Sequence, residues 1–316
     1  MSCKDEARYH IYVSELSYEI ESLLLRFTSL LTNFELQPHI TYSLSSRGKR
    51  LRPLLLILSG QSLGGVREAL TMPAVAIELV HTASLIHDDV LDFEGVRRDL
   101  PTLYCKLGSK ALLVGDVLYA SAVALLAQSN PKLLEIIAES TMELCDGEFM
   151  DVSFSISNCK EEDYFRMIRK KSASLFKAAA ECGAVVVGGL KSEVETLSTF
   201  GELFGIAYQL KDDLQDILGQ VYGDFVNGRV TLPYLHLYTN GDSQSRLLVE
   251  NNIGKGNVED QVAEKILEKM EETGSIDYCR GKLAEYKFKA CQTLASLKDS
   301  EFKDTLIWLT QAALST

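Results

Sequence analysis

Two triplets of aspartate carry the chemistry most directly readable in this sequence. Asp88, Asp89 and Asp92 close the run AVAIELVHTASLIHDDVLD (Ala74–Asp92), and Asp212, Asp213 and Asp216 lie in GELFGIAYQLKDDLQDIL (Gly201–Leu218). In a helix, residues four apart share a face, so Asp88 pairs with Asp92 and Asp212 with Asp216. Like charges at that spacing destabilise even a solvated helix by a few tenths of a kcal/mol. On apolar helices the cost is larger unless cations neutralise them. One Asp-Asp-x-x-Asp alone reads as a solvated acidic turn; two, each set in a long apolar segment, do not. Oxygen ligands without Cys or His suit a hard cation, and Mg²⁺ is the natural one, because it takes one or two carboxylates and completes its octahedron with water and phosphate. Ca²⁺ would serve, but no EF-hand loop is present.

Basic residues are placed to hold what such a cation would bring. Arg47-Gly48-Lys49-Arg50-Leu51-Arg52-Pro53 is a dense cationic stretch in an acidic chain, running into the apolar segment Leu54–Leu58. Helix-start N–H groups would add to an anion site there, although a merely solvated helix start has the same composition. Arg97-Arg98 follows the first triplet, Lys170-Lys171-Ser172 lies in the segment 163–189, and Arg229 follows the second triplet. Arg grips phosphate bidentately and Lys as a point charge. No Ser or Cys is placed with a base for a triad, and no phosphate-binding glycine loop of either nucleotide type occurs. Metal, charge and a dry cavity are therefore the favoured means of catalysis.

The elements that position these residues read as helices. Apolar residues recur at helical spacing through Ser14–Leu31, Leu54–Gln61, Pro73–Asp92, Ala111–Ala127, Lys132–Phe149, Asp163–Gly189, Val194–Leu218, Leu232–Tyr238, Glu259–Thr273 and Tyr278–Leu297. Pro73 is placed in a first turn, where it is tolerated. Hairpin signals are absent. The expectation is an all-α protein, one domain over 1–316, with NNIGKG (Asn251–Gly256) as the clearest loop. The 316 residues carry a net charge of −12, which disfavours nucleic acid as a partner. Seven cysteines, an odd number without CxxC spacing, suit a reducing cytoplasm. No secretory signal is visible, and uninterrupted apolar runs such as Ala184–Leu190 are too short for a bilayer, so no transmembrane segment is expected.

At this point the chain resembles the polyprenyl (isoprenyl) diphosphate synthase family. The matching pieces are GKRLRP (Gly48–Pro53), ELVHTASLIHDDVLD (Glu78–Asp92), RRDLPT (Arg97–Thr102), GDVLYASA (Gly115–Ala122), GEFMD (Gly147–Asp151), RKKSASLFKAAAECGA (Arg169–Ala184), YQLKDDLQD (Tyr208–Asp216) and GRVTLP (Gly228–Pro233), in the family's order. The resemblance implies a single large helical bundle of the isoprenoid synthase type around a deep central cavity, working as a homodimer. It implies a trans-prenyltransferase that joins isopentenyl diphosphate head-to-tail to an allylic diphosphate. Asp88 and Asp92 would hold two Mg²⁺ ions, and Asp212 with Asp216 a third. Arg97, Lys171, Ser172 and Gln209 would contact the allylic diphosphate, with Arg229 adding charge. Lys49, Arg52, His81 and Arg98 would bind isopentenyl diphosphate. Asp88, Asp92, Asp212, Lys171 and Arg97 would thus be the catalytic set.

Some positions depart from the family pattern. Ser172 replaces the usual Thr, Arg229 a usual Lys, and Gly219-Gln220 stands where a Lys often follows the glycine. Ala83 and Ser84, one turn before Asp88, are small where short-chain members carry a bulky aromatic floor. A product of C25 to C40 is therefore expected, with a geranylgeranyl or farnesyl synthase as the alternative; small residues there also permit close helix packing. A non-catalytic subunit of a heteromeric synthase is disfavoured because both aspartate motifs are intact. A terpene cyclase would not need the GKRLRP cluster and His81.

Overall fold

The computed structural model describes residues 3–31, 35–46, 48–127, 129–219 and 222–315; Arg47 and Gln220, both singled out above, lie outside them. The helical expectation holds. In chain order the elements are α1 (Cys3–Ser29), α2 (Gln37–Ser45), α3 (Leu51–Ser62), α4 (Arg67–Leu91), β1 (Val96–Arg97), β2 (Leu100–Pro101), α5 (Leu103–Leu107), α6 (Ala111–Ala127), α7 (Pro131–Ser153), α8 (Glu161–Ile168), α9 (Ser174–Val186), α10 (Lys191–Leu218), α11 (Gly223–Val226), α12 (Leu232–Asn240), α13 (Ser243–Glu250), α14 (Asp260–Glu272), α15 (Ser275–Thr293) and α16 (Glu301–Ala313). Contacts divide the chain into two compact units. The first comprises Met1–Glu139, Ala178–Ser198 and Ser296–Trp308; the second comprises Ser140–Lys177, Thr199–Ala295 and Leu309–Thr316.

In the first unit α4 is the central helix, packed on α1, α3 and α6. Val75, Ile77, Leu79, Val80 and Ile86 are buried along it, so its apolar residues form a core stripe and its last turn carries Asp88 to the edge of that core. Helices approach closely where glycine permits. A Cβ on Gly183 of α9 would lie 2.2 Å from the Leu56 carbonyl oxygen of α3, and one on Gly60 would lie 2.3 Å from Leu70. In the second unit an aromatic column fills the core: Phe176, Phe204 and Phe200 are fully buried, and the Phe176 ring lies 5.2 Å from that of Phe204 and 5.4 Å from that of Tyr208.

Three local readings are corrected. Pro73 is not in a first turn, because α4 begins at Arg67 and encloses it. One backbone bond is lost there, and burial of Pro73 with Leu70, Ala74 and Val75 offsets it. The segment 163–189 is not one helix: α8 ends at Ile168, Arg169–Ala173 forms a π-helical turn, and α9 follows. A hairpin does exist, with Val96 opposite Pro101 and Arg97 opposite Leu100. Its two turn residues, Arg98 and Asp99, have φ of 53° and 62°. Such a turn normally takes Asn or Gly, and the missing signal is why sequence patterning overlooks it.

By length and composition alone, Arg67–Leu91 and Leu103–Ala127 could cross a membrane. The first is mostly buried within the structure, as a core helix is. The second is interrupted by a 3-10 turn at Gly108–Lys110.

Overpacking a tight crossing costs about 1–3 kcal/mol, and here the obstacle is a backbone oxygen. Gly183→Val is therefore expected to lower unfolding free energy by about 3 kcal/mol, read as a fall in the urea midpoint. An unchanged midpoint would contradict the crossing.

Candidate active site

In the first unit the residues predicted for substrate and metal lie on α4 and its C-cap, on the turn before α3 and the first turn of α3, and on the hairpin. Asp88 and Asp92 are one turn apart, tied by the Asp92 N–H donating to the Asp88 carbonyl at 2.8 Å. Asp89, buried to 6% exposure, projects differently: its Oδ1 accepts from Nε of Arg97 at 2.7 Å. Burial pushes the Asp89 carboxyl above the usual range, against the pull of Arg97. Arg97 is thus aimed by a carboxylate eight residues upstream.

The cationic stretch sorts into two roles. Arg50 is buried, donating to Glu78 at 2.7 Å and to the carbonyls of Leu44 and Ser46 at 2.9 and 3.0 Å. It is a structural clamp with φ of 48°. Lys49 is exposed. Arg52 meets His81, with Nη1 3.0 Å from Nε2. Since guanidinium only donates, that nitrogen of His81 accepts and its proton sits on Nδ1. Burial, then the positive charges of Arg52, Arg98, Arg50 and Arg97, hold the His81 pKa well below its ordinary value. The Arg98 guanidinium packs on Gly48, where a Cβ would come within 2.7 Å of it. Arg52 and Arg98 therefore lie near His81, and Arg98 packs on the glycine that precedes Lys49. Ala83 is fully buried, and the Ser84 hydroxyl donates to the His81 carbonyl at 2.9 Å.

The second unit holds the other predicted residues. Lys171 and Ser172 sit in the π-helical turn, a form that often marks functional sites. Gly147 of α7 abuts it so closely that a Cβ would lie 2.2 Å from the Lys171 nitrogen. Lys171 Nζ bonds Asp151 at 2.6 Å and Glu148 at 2.8 Å, and Arg229 lies 3.5 Å from the same Asp151 oxygen. Ser172 donates to Oε1 of Gln209 at 2.5 Å. Gln209 Nε2 donates to Asp213 at 2.9 Å, and the Tyr164 hydroxyl donates to the other Asp213 oxygen at 2.6 Å. Burial raises the Asp213 carboxyl to about 6. Asp224 is pushed well above the usual range by burial and by Asp213, Asp216 and Asp151. Asp216 accepts the Gly223 N–H on Oδ1 at 2.8 Å, while its buried Oδ2 has no hydrogen-bond partner.

Glu148, Asp151, Tyr164 and Asp224 were not picked out by sequence reasoning. GEFMD, at Gly147–Asp151, was part of the resemblance but was given no role. Its acids stand three residues apart on one helix face, which is the signal that was available.

The donors fit a hard cation: they are carboxylate oxygens, and Asp216 keeps an unsatisfied buried one. Among the described residues no three His, Cys, Asp or Glu side chains are preassembled as a metal cage. A cation held by one or two carboxylates and a substrate phosphate needs none.

Comparison with known proteins decides the family. The pattern described as Polyprenyl synthetase matches residues 34–270. The chain belongs to the polyprenyl synthetase family. It is 36% identical over 278 residues to the octaprenyl diphosphate synthase of Haemophilus influenzae, covering 85% of this chain and 84% of that one. It is 32% identical over 297 residues to the geranylgeranyl diphosphate synthase of Methanosarcina mazei, covering 89% and 90%. Among solved structures, the decaprenyl diphosphate synthase of Rhodobacter capsulatus superposes with a TM-score of 0.87 at 28% identity, covering 98% of each chain. The polyprenyl synthase of Caulobacter crescentus, complexed with calcium and isoprenyl diphosphate, gives 0.87 at 28% identity over 100% of this chain and 98% of that one. This polyprenyl synthetase is accordingly a prenyltransferase with the all-α fold of its relatives.

The neutral His81 gives a pH dependence with a definite sign. Its folded pKa lies below the ordinary 6.5, so below that pH the unfolded chain binds a proton that the native state refuses. Stability is lost as pH falls through that window. Relative to His81→Gln, the wild type should lose about 1 kcal/mol between pH 6.5 and 5.5. Paired urea denaturations at each pH measure the gap, and a gap that does not change with pH would contradict it.

Proposed function

We propose that this family member is a Mg²⁺-dependent trans-prenyltransferase that condenses isopentenyl diphosphate head-to-tail with an allylic diphosphate and releases a polyprenyl diphosphate of C25 to C40. The observation that carries this reading is the pair of Asp-Asp-x-x-Asp motifs on buried helices, each accompanied by its own guanidinium or ammonium groups. Asp88 and Asp92 hold two cations, and Asp212 with Asp216 holds a third. When bound, these ions draw charge from the departing diphosphate.

The protein's own residues bind, orient and exclude water. Arg97, Lys171, Ser172 and Gln209 serve the allylic diphosphate, with Arg229 beside Lys171. Lys49, Arg52, His81 and Arg98 serve isopentenyl diphosphate. Without ligand, burial and the neighbouring arginines hold His81 toward its neutral form, so lysine and arginine supply the charge offered to that diphosphate. Holding alkene and allyl carbon close supplies most of what uncatalysed encounter lacks. Exclusion of water would protect the allylic carbocation that the departing diphosphate leaves behind. The small Ala83 and Ser84 put no bulky side chain one turn before Asp88, which supports a product longer than C15. Named relatives include both octaprenyl and geranylgeranyl synthases, so a C20 endpoint is the second reading.

We further place the enzyme in the cytoplasm as a homodimer. Nearly every residue of α6 is apolar. Ala111, Val114, Leu118 and Ala122 are buried, yet Leu113 and Val123 on its other side are 55% and 49% exposed. A helix apolar on all sides needs cover on all sides, and a second copy provides it.

Incubation with farnesyl and isopentenyl diphosphates is expected to give C25 to C40 chains, read by chromatography; a C15 or C20 endpoint would contradict the long-chain reading. Asp88→Ala and Asp212→Ala should each lower turnover by about 10²–10³-fold or more with folding intact, and unchanged turnover would refute the assignment. For the dimer, Leu113→Glu with Val123→Glu should convert a species of twice the chain mass to monomer in sedimentation; a monomeric wild type would contradict it.

A further inference from the structure

Consecutive helical residues point about 100° apart, so the middle aspartate of Asp-Asp-x-x-Asp turns away from the first, although it stands only three residues before the last. In both motifs the structure shows where it goes instead. Asp89 receives Arg97 at 2.7 Å. Asp213 receives Gln209 at 2.9 Å on one oxygen, and Tyr164 at 2.6 Å with the Leu232 N–H at 3.3 Å on the other. They are 6% and 1% exposed. The side chain each one holds, Arg97 or Gln209, is one that the proposed function assigns to the allylic diphosphate.

We infer that the two motifs divide labour in the same way: the outer aspartates hold cations, and Asp89 and Asp213 are positioning residues that aim Arg97 and Gln209 at the allylic diphosphate. An ionised carboxylate only accepts. Asp213 therefore forces the amide of Gln209 to turn its NH₂ inward and its oxygen toward Ser172, leaving one N–H for a ligand. Tyr164, outside the motif, fixes Asp213 in turn. Asp89 does for the planar fork of Arg97 what Asp213 does for the amide. The inference rests on the proposed function, and the test separates the two.

Mn²⁺ with inorganic diphosphate is the probe, with bound Mn²⁺ read by electron paramagnetic resonance and diphosphate affinity by calorimetry at saturating Mn²⁺. Asp88→Asn and Asp212→Asn should weaken Mn²⁺ binding about tenfold or more. Asp89→Asn and Asp213→Asn should leave it within about twofold, yet weaken diphosphate about tenfold or more, the worth of one misdirected charged hydrogen bond. They should raise the KM for the allylic substrate and leave that for isopentenyl diphosphate unchanged. In an Arg97→Ala background Asp89→Asn should add nothing, and in a Gln209→Ala background Asp213→Asn should add nothing. If Asp213→Asn does not fold, Tyr164→Phe decides, with a smaller rise in the same allylic KM. The inference is overturned if the middle variants weaken Mn²⁺ as much as the outer ones, or if their effects persist in the alanine backgrounds. If instead the outer variants leave Mn²⁺ binding intact, the metal assignment fails while the double-variant cycles still report positioning.

Discussion

A carboxylate taken out of water favours its protonated form, and crowding several together multiplies the cost. In the second unit Asp151, Asp213, Asp216 and Asp224 sit close enough for one to raise another. Most of what surrounds them answers that repulsion. Lys171 and Arg229 neutralise Asp151 and Glu148, Tyr164 and Gln209 saturate Asp213, and the Gly223 N–H takes one oxygen of Asp216. Among the described residues, the buried second oxygen of Asp216 has no hydrogen-bond partner. The first unit shows the same logic more simply, with Arg97 on Asp89 and a neutral His81 beside Arg52. Charge is balanced locally, and in the proposed function the balance is completed by a ligand that carries both cation and phosphate.

The backbone is bent where this balance requires it. Lys171 and Ser172 are presented by a π-helical turn against Gly147, and Arg98 by a tight turn with a left-handed backbone. Left-handed non-glycine residues and broken helices cost stability of order 1–3 kcal/mol each. They persist because buried cores on either side fix their ends: the aromatic column around Phe176 for the first, and Thr102 for the second, its hydroxyl donating to the Glu94 carbonyl and its side chain capping α5.

Helices and aspartate spacing were legible because period and charge are local properties of the chain. Asp88, Asp92, Asp212 and Asp216 announce themselves by sitting where apolar residues belong. Arg50 could not be told from Arg52, since both are arginines in one basic run; only the depth of Glu78 makes the first a clamp and leaves the second beside His81. The hairpin escaped because Arg98 and Asp99 take a turn that patterning reserves for glycine or asparagine. The π turn escaped because a helix of changed pitch keeps nearly the same apolar spacing. Tyr164 and Asp151 escaped because their partners are distant in sequence.

The account depends on cations settling on the outer aspartates and nowhere else on the motifs. Crystals soaked with Mn²⁺ and inorganic diphosphate, measured at the manganese absorption edge, test this directly. Anomalous peaks should stand within coordination distance of Asp88 and Asp92 and of Asp212 and Asp216, each bridged to phosphate oxygen. Peaks on Asp89 or Asp213, or no peak at either motif, would contradict it.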